Sequence, residues 1–219
     1  MWYYKLSIFA VLFEIQALNI MQKVKITGEK RQLTGKAANN KLRSEGKIPA
    51  IIYGGGENHL FATTPSDVKA LVYTPEFKIA EIELDGSLYE CILKDIQFDP
   101  VSDEIVHIDF LRLVENTPVK YEVPIKFQGV SPGVKSGGKL MQQMRKVKVK
   151  STPANMVDAL YADISQLGLG AAIRVRDIIS SDNLQVETEP ATPIAIIEVP
   201  RALKSAGSKE AAAGAKGKG

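Results

Sequence analysis

The sequence predicts a mainly β fold with a few short helices, arranged as a small β-barrel-like domain followed by an all-β domain. Three observations point there. Apolar and polar residues alternate at period two in run after run from Lys23 onward, as half-buried strands require. Asp85-Gly86 joins two such runs, 77–84 and 87–98, with a strong hairpin signal. Asn116-Thr117-Pro118 then interrupts the pattern and marks the domain boundary, giving domains 21–115 and 116–200.

Taken in order, Lys23–Glu29 alternates and reads as the first strand. Ala37–Glu45 reads as a helix that Gly46 stops. The apolar run Ile48–Tyr53 is a short strand ended by Gly54-Gly55-Gly56, and Pro65-Ser66-Asp67 opens a second helix running to about Tyr73. After the hairpin, the turn Asp99–Asp103 leads into a strand over 104–114. In the second domain Val119–Phe127 alternates around Pro124, which suits an edge strand because proline has no N–H to give a ladder. The glycine-rich stretch 129–138 is a loop, and short strands are expected near 139–142, 145–150, 160–164, 173–176, 184–187 and 194–199. Val157–Leu160 is too short for a helix, and no repeat relates the halves.

The two ends read differently. Residues 1–20 place Lys5 before a short apolar run, Leu6–Phe13, that Glu14 interrupts. The run is far shorter than the ~20 apolar residues of a membrane span, and no small-x-small cleavage site follows it. The expectation is an extension from an upstream start, with translation beginning at Met21; the runner-up is a poor signal peptide. Residues 201–219, rich in Ala, Gly and Lys, have no periodicity with which to pack and are expected to be a disordered basic tail.

In 219 residues, 45% hydrophobic and 24% charged, there is material for a real core. The single cysteine, Cys91, excludes an internal disulfide framework, and two histidines leave few ligands for transition metals. The net charge of +3 hides blocks: +6 over 21–50, −9 over 51–115, +7 over 116–153, −5 over 154–200 and +4 over 201–219. Blocks of that size point to a distinct side facing a polyanion, or simply to solvated faces.

Two surfaces carry candidate function. At about 100° per residue, Lys36, Asn40, Arg43 and Lys47 form one stripe, with Ala38 and Leu42 opposite. Such a helix can lie on a phosphate backbone while its small apolar face anchors it to a sheet; an ordinary amphipathic surface helix has the same pattern. On the strand 104–114, His107 and Asp109 share a face, and Asp95 and Gln97 can join it across the 99–103 turn. These groups suit base edges and 2′-hydroxyls in the wide, shallow minor groove of RNA, and Tyr53 can stack or reach a ribose. The alternative is a partly exposed polar face with a satisfied histidine. Enzyme chemistry finds little support. Gly54-Gly55-Gly56 is neither a P-loop nor a GxGxxG motif. A Cys91–His107 nucleophile and base competes with a small buried thiol in a strand, and His107-x-Asp109 offers only two metal ligands. No cofactor, metal or small-molecule substrate is expected.

The runs RQLTGKAANNKLRSEGKIPAIIYGGG (31–56), KDIQFDP (94–100) and HIDFLRL (107–113) closely resemble the 5S-rRNA-binding ribosomal protein of the bacterial large subunit. PVKYEVPIKFQG (118–129), GVKSGG (133–138) and DISQLGLGAAIRVRDI (163–178) are similar to the second β domain of its longer members, the CTC or general stress proteins. The resemblance covers residues 21–200. It implies a barrel-like domain that binds the loop E region of 5S rRNA on its minor-groove side, at a ribosome in the cytoplasm. It further implies that Arg31, Lys36, Lys41 and Arg43 meet phosphates and groove, and that Tyr53, Gln97, His107 and Asp109 are the polar contacts of the sheet. Where family members commonly carry a basic pair, this chain has Asn40-Lys41, which keeps a hydrogen bond at Asn40 but one charge fewer. The second domain is expected to contact neighbouring large-subunit rRNA or ribosomal proteins. A stress-induced protein–protein module acting mainly off the ribosome is the alternative function.

Overall fold

The computed structural model describes residues 21–32, 34–179 and 184–200. The expected extension 1–20 and tail 201–219 lie outside the described residues. The alternation at the start forms β1 (Lys23–Lys30), with Ile26 buried between exposed Lys25 and Thr27. Next comes α1 (Lys36–Ser44). Gly46, at φ +75°, ends it: the Gly46 N–H donates to the Arg43 carbonyl at 3.0 Å and the Lys47 N–H to the Leu42 carbonyl at 2.9 Å. This is a Schellman stop, and glycine takes its left-handed position without a Cβ clash.

β2 (Ile48–Tyr53) follows, then β3 (His59–Thr63), to which the alternation criterion assigns nothing. α2 (Pro65–Val72) starts with proline in its first turn and buries Val68 and Leu71. β4 (Ile79–Leu84) and β5 (Ser87–Phe98) form the expected hairpin, with Asp85 and Gly86 both at positive φ as the tight turn demands. Asp99 then accepts from the N–H groups of Val101 (2.8 Å) and Ser102 (3.1 Å), turning the chain into β6 (Ile105–Arg112).

These six strands close into a barrel in the order β1-β3-β2-β6-β5-β4. Two parallel pairings, β1 with β4 and β2 with β6, complete the circuit; the rest are antiparallel. Closure removes open edges and creates an interior that side chains fill. Phe61 and Phe110 meet there with ring centroids 5.9 Å apart, among Ile26, Ile52, Ile82 and Ile108.

The second part is β with three short helical turns among the described residues, at Pro132–Lys135, Pro153–Asn155 and Val175–Asp177. β7 (Val119–Gln128) leads to Ser131, whose Oγ caps α3 (Pro132–Lys135) by accepting from Gly133 and Val134. The stretch expected as loop thus contains a helical turn. Then come β8 (Lys139–Gln142), β9 (Lys146–Ser151), β10 (Leu160–Asp163), β11 (Ala172–Arg174), β12 (Ile178–Ile179), β13 (Gln185–Val186) and β14 (Pro193–Glu198). One sheet runs β12-β10-β7-β9-β13 and the other β11-β14-β8.

β7 therefore lies in the middle of its sheet, not at the edge that Pro124 suggests. Pairing with β10 begins only at Ile125, and the Ile125 N–H donates to the Arg145 carbonyl at 3.0 Å. The N–H that Pro124 lacks thus falls outside the β10 ladder. Two compact units result, each with its own core: the barrel with residues up to 123 and 150–158, and a unit built mostly from 124–149, 159–179 and 186–200.

Candidate nucleic-acid interface

α1 has no fully buried residue. Ala38, Asn39 and Leu42 are half-buried on its inner side, while Lys36, Asn40, Lys41 and Arg43 are exposed. Polar bonds do much of the holding. Arg31, just after β1, donates from Nη1 to Asn39 Oδ1 at 2.5 Å. Arg43 reaches β6 with a fork: Nε and Nη2 both lie 3.2 Å from the Val106 carbonyl, and Nη1 lies 3.4 Å from Asn40 Oδ1. Lys47 falls beyond the helix and pairs with Glu29 of β1. The stripe is therefore Lys36, Asn40 and Arg43, because the Schellman turn redirects the chain before Lys47.

The two arginines also sense each other. Arg31 is half-buried, and its Nε is buried without a hydrogen-bond partner. Burial, and next the charge of Arg43, lower the proton affinity of its guanidinium below the ordinary arginine value. An anion between them would satisfy the orphaned donor and relieve the repulsion.

The polar face lies on β2, β6 and β5. In β6, Ile108 and Phe110 are buried inside, which turns His107 and Asp109 outward. The register of β5 on β6 shifts between Leu93 and Asp95, so that Asp95 stands opposite Asp109 and Gln97 opposite His107. The bulge aims these side chains. The parallel partner β2 sets Ile51 beside Asp109 and Tyr53 beside Leu111. The Tyr53 hydroxyl holds its proton more tightly than usual, through burial first and then the charges of Asp109 and Asp95. His107 Nδ1 lies 2.7 Å from Asp109 Oδ1. With Nδ1–H donated to the carboxylate, Nε2 is the ring nitrogen left for a further hydrogen bond.

The structure thus brings Tyr53, Gln97, His107 and Asp109 onto one face, and Arg43 ties α1 to that face one residue before His107. Arg31 and Asn40 join through the helix bonds; Lys36 and Lys41 stand exposed on α1. Asn39 escapes the sequence reading, although a 100° step places it beside Ala38 and Leu42 on the packed side. Cys91 does not meet His107. It faces the barrel interior, fully buried, opposite Arg112 and five residues along the ladder from His107's level. That is about 16 Å at the rise of a strand. Burial pushes its thiol up to about 12, the opposite of what a nucleophile needs.

Comparison with known proteins gives consistent matches. The Ribosomal L25p family model matches residues 26–110, and that of the Ribosomal protein TL5, C-terminal domain, matches 118–201. The chain is 40% identical over 191 residues to a large ribosomal subunit protein bL25 of Amoebophilus asiaticus, covering 87% of this chain and 96% of the relative. It is 38% identical over 186 residues to the bL25 of Azobacteroides pseudotrichonymphae, covering 84% and 98%. The bL25 of Porphyromonas gingivalis is 38% identical over 192 residues, covering 87% and 100%.

Proposed function

Because this chain belongs to the ribosomal L25p family and carries the TL5-type C-terminal domain, we propose that it binds the loop E region of 5S rRNA as a structural constituent of the bacterial large ribosomal subunit. It is a ribosomal building block rather than an enzyme, and it works in the cytoplasm on the ribosome. The observation that carries the reading is the junction of two unlike surfaces. The Arg43 fork on the Val106 carbonyl sets a cationic helix directly beside the Tyr53–Asp109–His107–Gln97 face.

Phosphates are neutralised by Lys36, Lys41 and Arg43, and the buried Nε of Arg31 favours an anion beside it. Asn40 adds a hydrogen bond where a second charge would raise affinity further. The face supplies mixed donors and acceptors: His107 Nε2 and Asp109 accept, the Tyr53 hydroxyl donates, and Gln97 does both. A wide RNA minor groove offers 2′-hydroxyls and base edges to match. Charge then sets affinity, and the face sets the choice of site.

The test is filter binding of the full chain to intact 5S rRNA and to 5S rRNA with loop E replaced by plain duplex. The wild type prefers the intact RNA, and His107→Ala loses that preference more than it loses general affinity. Equal binding of both RNAs by the wild type would remove the loop E assignment.

A further inference from the structure

We propose that the outer face of the β10-β7-β9 sheet is a second RNA-backbone contact, made chiefly by the lysines of strand β9. In β9, Val147, Val149 and Ser151 are buried, so Lys146, Lys148 and Lys150 all project from the opposite face. Alternate residues of a strand stand about 6.5–7 Å apart, which spaces these charges evenly. The neighbouring β7 adds Lys126, and β10 sets Tyr161 in register with it. Residues 116–153 as a whole carry a net +7. Acids are present but fewer: Glu122 lies on the outer side of β7, Asp163 on that of β10, and Glu187 gives its N–H to the Lys148 carbonyl.

The chemistry favours phosphate over an acidic protein. Protein interfaces centre on apolar or aromatic anchors within a rim of charge. Among the described residues, the exposed large apolar side chains of this unit are Val130, Val134, Met141 and Leu169, all off these three strands. What the strands offer is a row of compact ammonium charges and one tyrosine. Lysines neutralise phosphate without reading sequence, and a tyrosine offers a base a stacking surface. The inference rests on the proposed ribosomal role only for the identity of the RNA, namely large-subunit rRNA beyond the 5S molecule.

The experiment compares the full chain with K146Q/K148Q/K150Q in a salt series, on isolated 5S rRNA and on protein-free large-subunit rRNA. The variant binds 5S rRNA within twofold of wild type. On the large-subunit rRNA each engaged lysine is worth about 0.9 in the salt slope, or roughly five- to sixfold in affinity near 0.15 M salt. Three engaged lysines give about two orders of magnitude. The single variant K146E, at an exposed position, reports the same loss in smaller degree should the triple variant fold poorly. A loss under threefold in both variants overturns the inference. So does a loss on whole subunits that is missing on protein-free rRNA, because the partner is then a protein. Failure of the wild type to bind 5S rRNA would instead strike the function proposed above and leave the large-subunit comparison readable.

Discussion

Replacing Arg43 by alanine separates the two jobs this side chain does. On the proposed reading it neutralises one phosphate, so its loss flattens the slope of log K against log salt by about 0.9 and weakens binding about five- to sixfold near 0.15 M. As a fork it fixes α1 to β6 through two 3.2 Å bonds to the Val106 carbonyl. The helix has nine residues and none buried, and a helix that short is marginal without tertiary support. Losing the fork therefore also releases Lys36, Asn40 and Lys41 from fixed positions. The total weakening expected for Arg43→Ala is about ten- to fiftyfold, more than the single charge supplies. Arg43→Lys keeps the slope within about 0.3 of wild type, since the charge remains, but still loses several-fold in affinity, since an ammonium cannot fork. The barrel core is untouched, so thermal melting of Arg43→Ala falls by no more than about 4 °C. Fluorescence anisotropy with labelled 5S rRNA from 50 to 300 mM salt reads all three proteins. An unchanged slope for Arg43→Ala would refute the phosphate contact, and full affinity for Arg43→Lys would refute the tether.

Cys91 stays unlabelled by thiol reagents in the native protein at pH 8 and reacts fully after denaturation; fast native labelling would contradict its burial. Because its folded pKa is raised, to about 12, its contribution to stability is present below the ordinary thiol range near 9 and is lost as pH rises from there towards 12, which denaturant titrations at pH 8 and 10.5 detect. Phe110→Ala removes a fully buried ring tilted against Phe61 and costs about 3–5 kcal/mol in urea unfolding; a cost under about 1 kcal/mol would deny the ring its core role. Gly133→Ala would bring a Cβ to 2.7 Å from the Gly168 backbone, so its fluorescence or calorimetric melting drops by several degrees, while a melting point equal to wild type shows that α3 is not seated there. Lys23→Ala leaves the salt slope of 5S rRNA binding within about 0.2 of wild type; a fall like that of Arg43→Ala would mean that total charge, not its placement, sets affinity.

Local pattern carries far in this chain, and its failures share a cause. The hairpin at Asp85-Gly86, the glycine stop of α1 and the outward pair His107 and Asp109 all follow from sequence neighbours. β3 does not. His-Leu-Phe-Ala-Thr lies between β1 and β2 in a closed barrel, and Phe61, Ala62 and Thr63 are buried in succession, so no alternation marks it. The closure itself depends on two parallel pairings, β1 with β4 and β2 with β6, each joining segments far apart in the chain. The second of these puts Tyr53 near Asp109. Nor can periodicity show that Arg31 reaches Asn39 or that Arg43 reaches a backbone carbonyl of β6. Residue types on a face are legible; the bonds that make two faces one surface require the register. Pro124 makes the same point in reverse, since its missing N–H excludes it only from a ladder position, and the start of the β10 pairing decides which positions those are.

The charge blocks pose a sharper problem, because the polar face lies within the segment of −9. The structure answers it by location. Glu81 and Glu90 both pair with Lys23 of β1, at 3.0 and 2.6 Å, and in a ring ordered β1-β3-β2-β6-β5-β4 strand β1 stands opposite β6. Asp99 is committed to the turn N–H groups of Val101 and Ser102, which hold its carboxyl below the usual range. Asp67 sits in the first turn of α2, where the helix dipole favours a negative charge. On the polar face itself stand Asp95 and Asp109, and the latter is already bonded to His107. On the proposed reading, two acceptors there need not oppose binding, since a minor groove presents hydroxyl donors as well as charge. Several acids of the −9 segment thus lie away from the proposed RNA-binding face although they share its stretch of sequence. A barrel achieves this because successive strands of one chain face different directions around the ring.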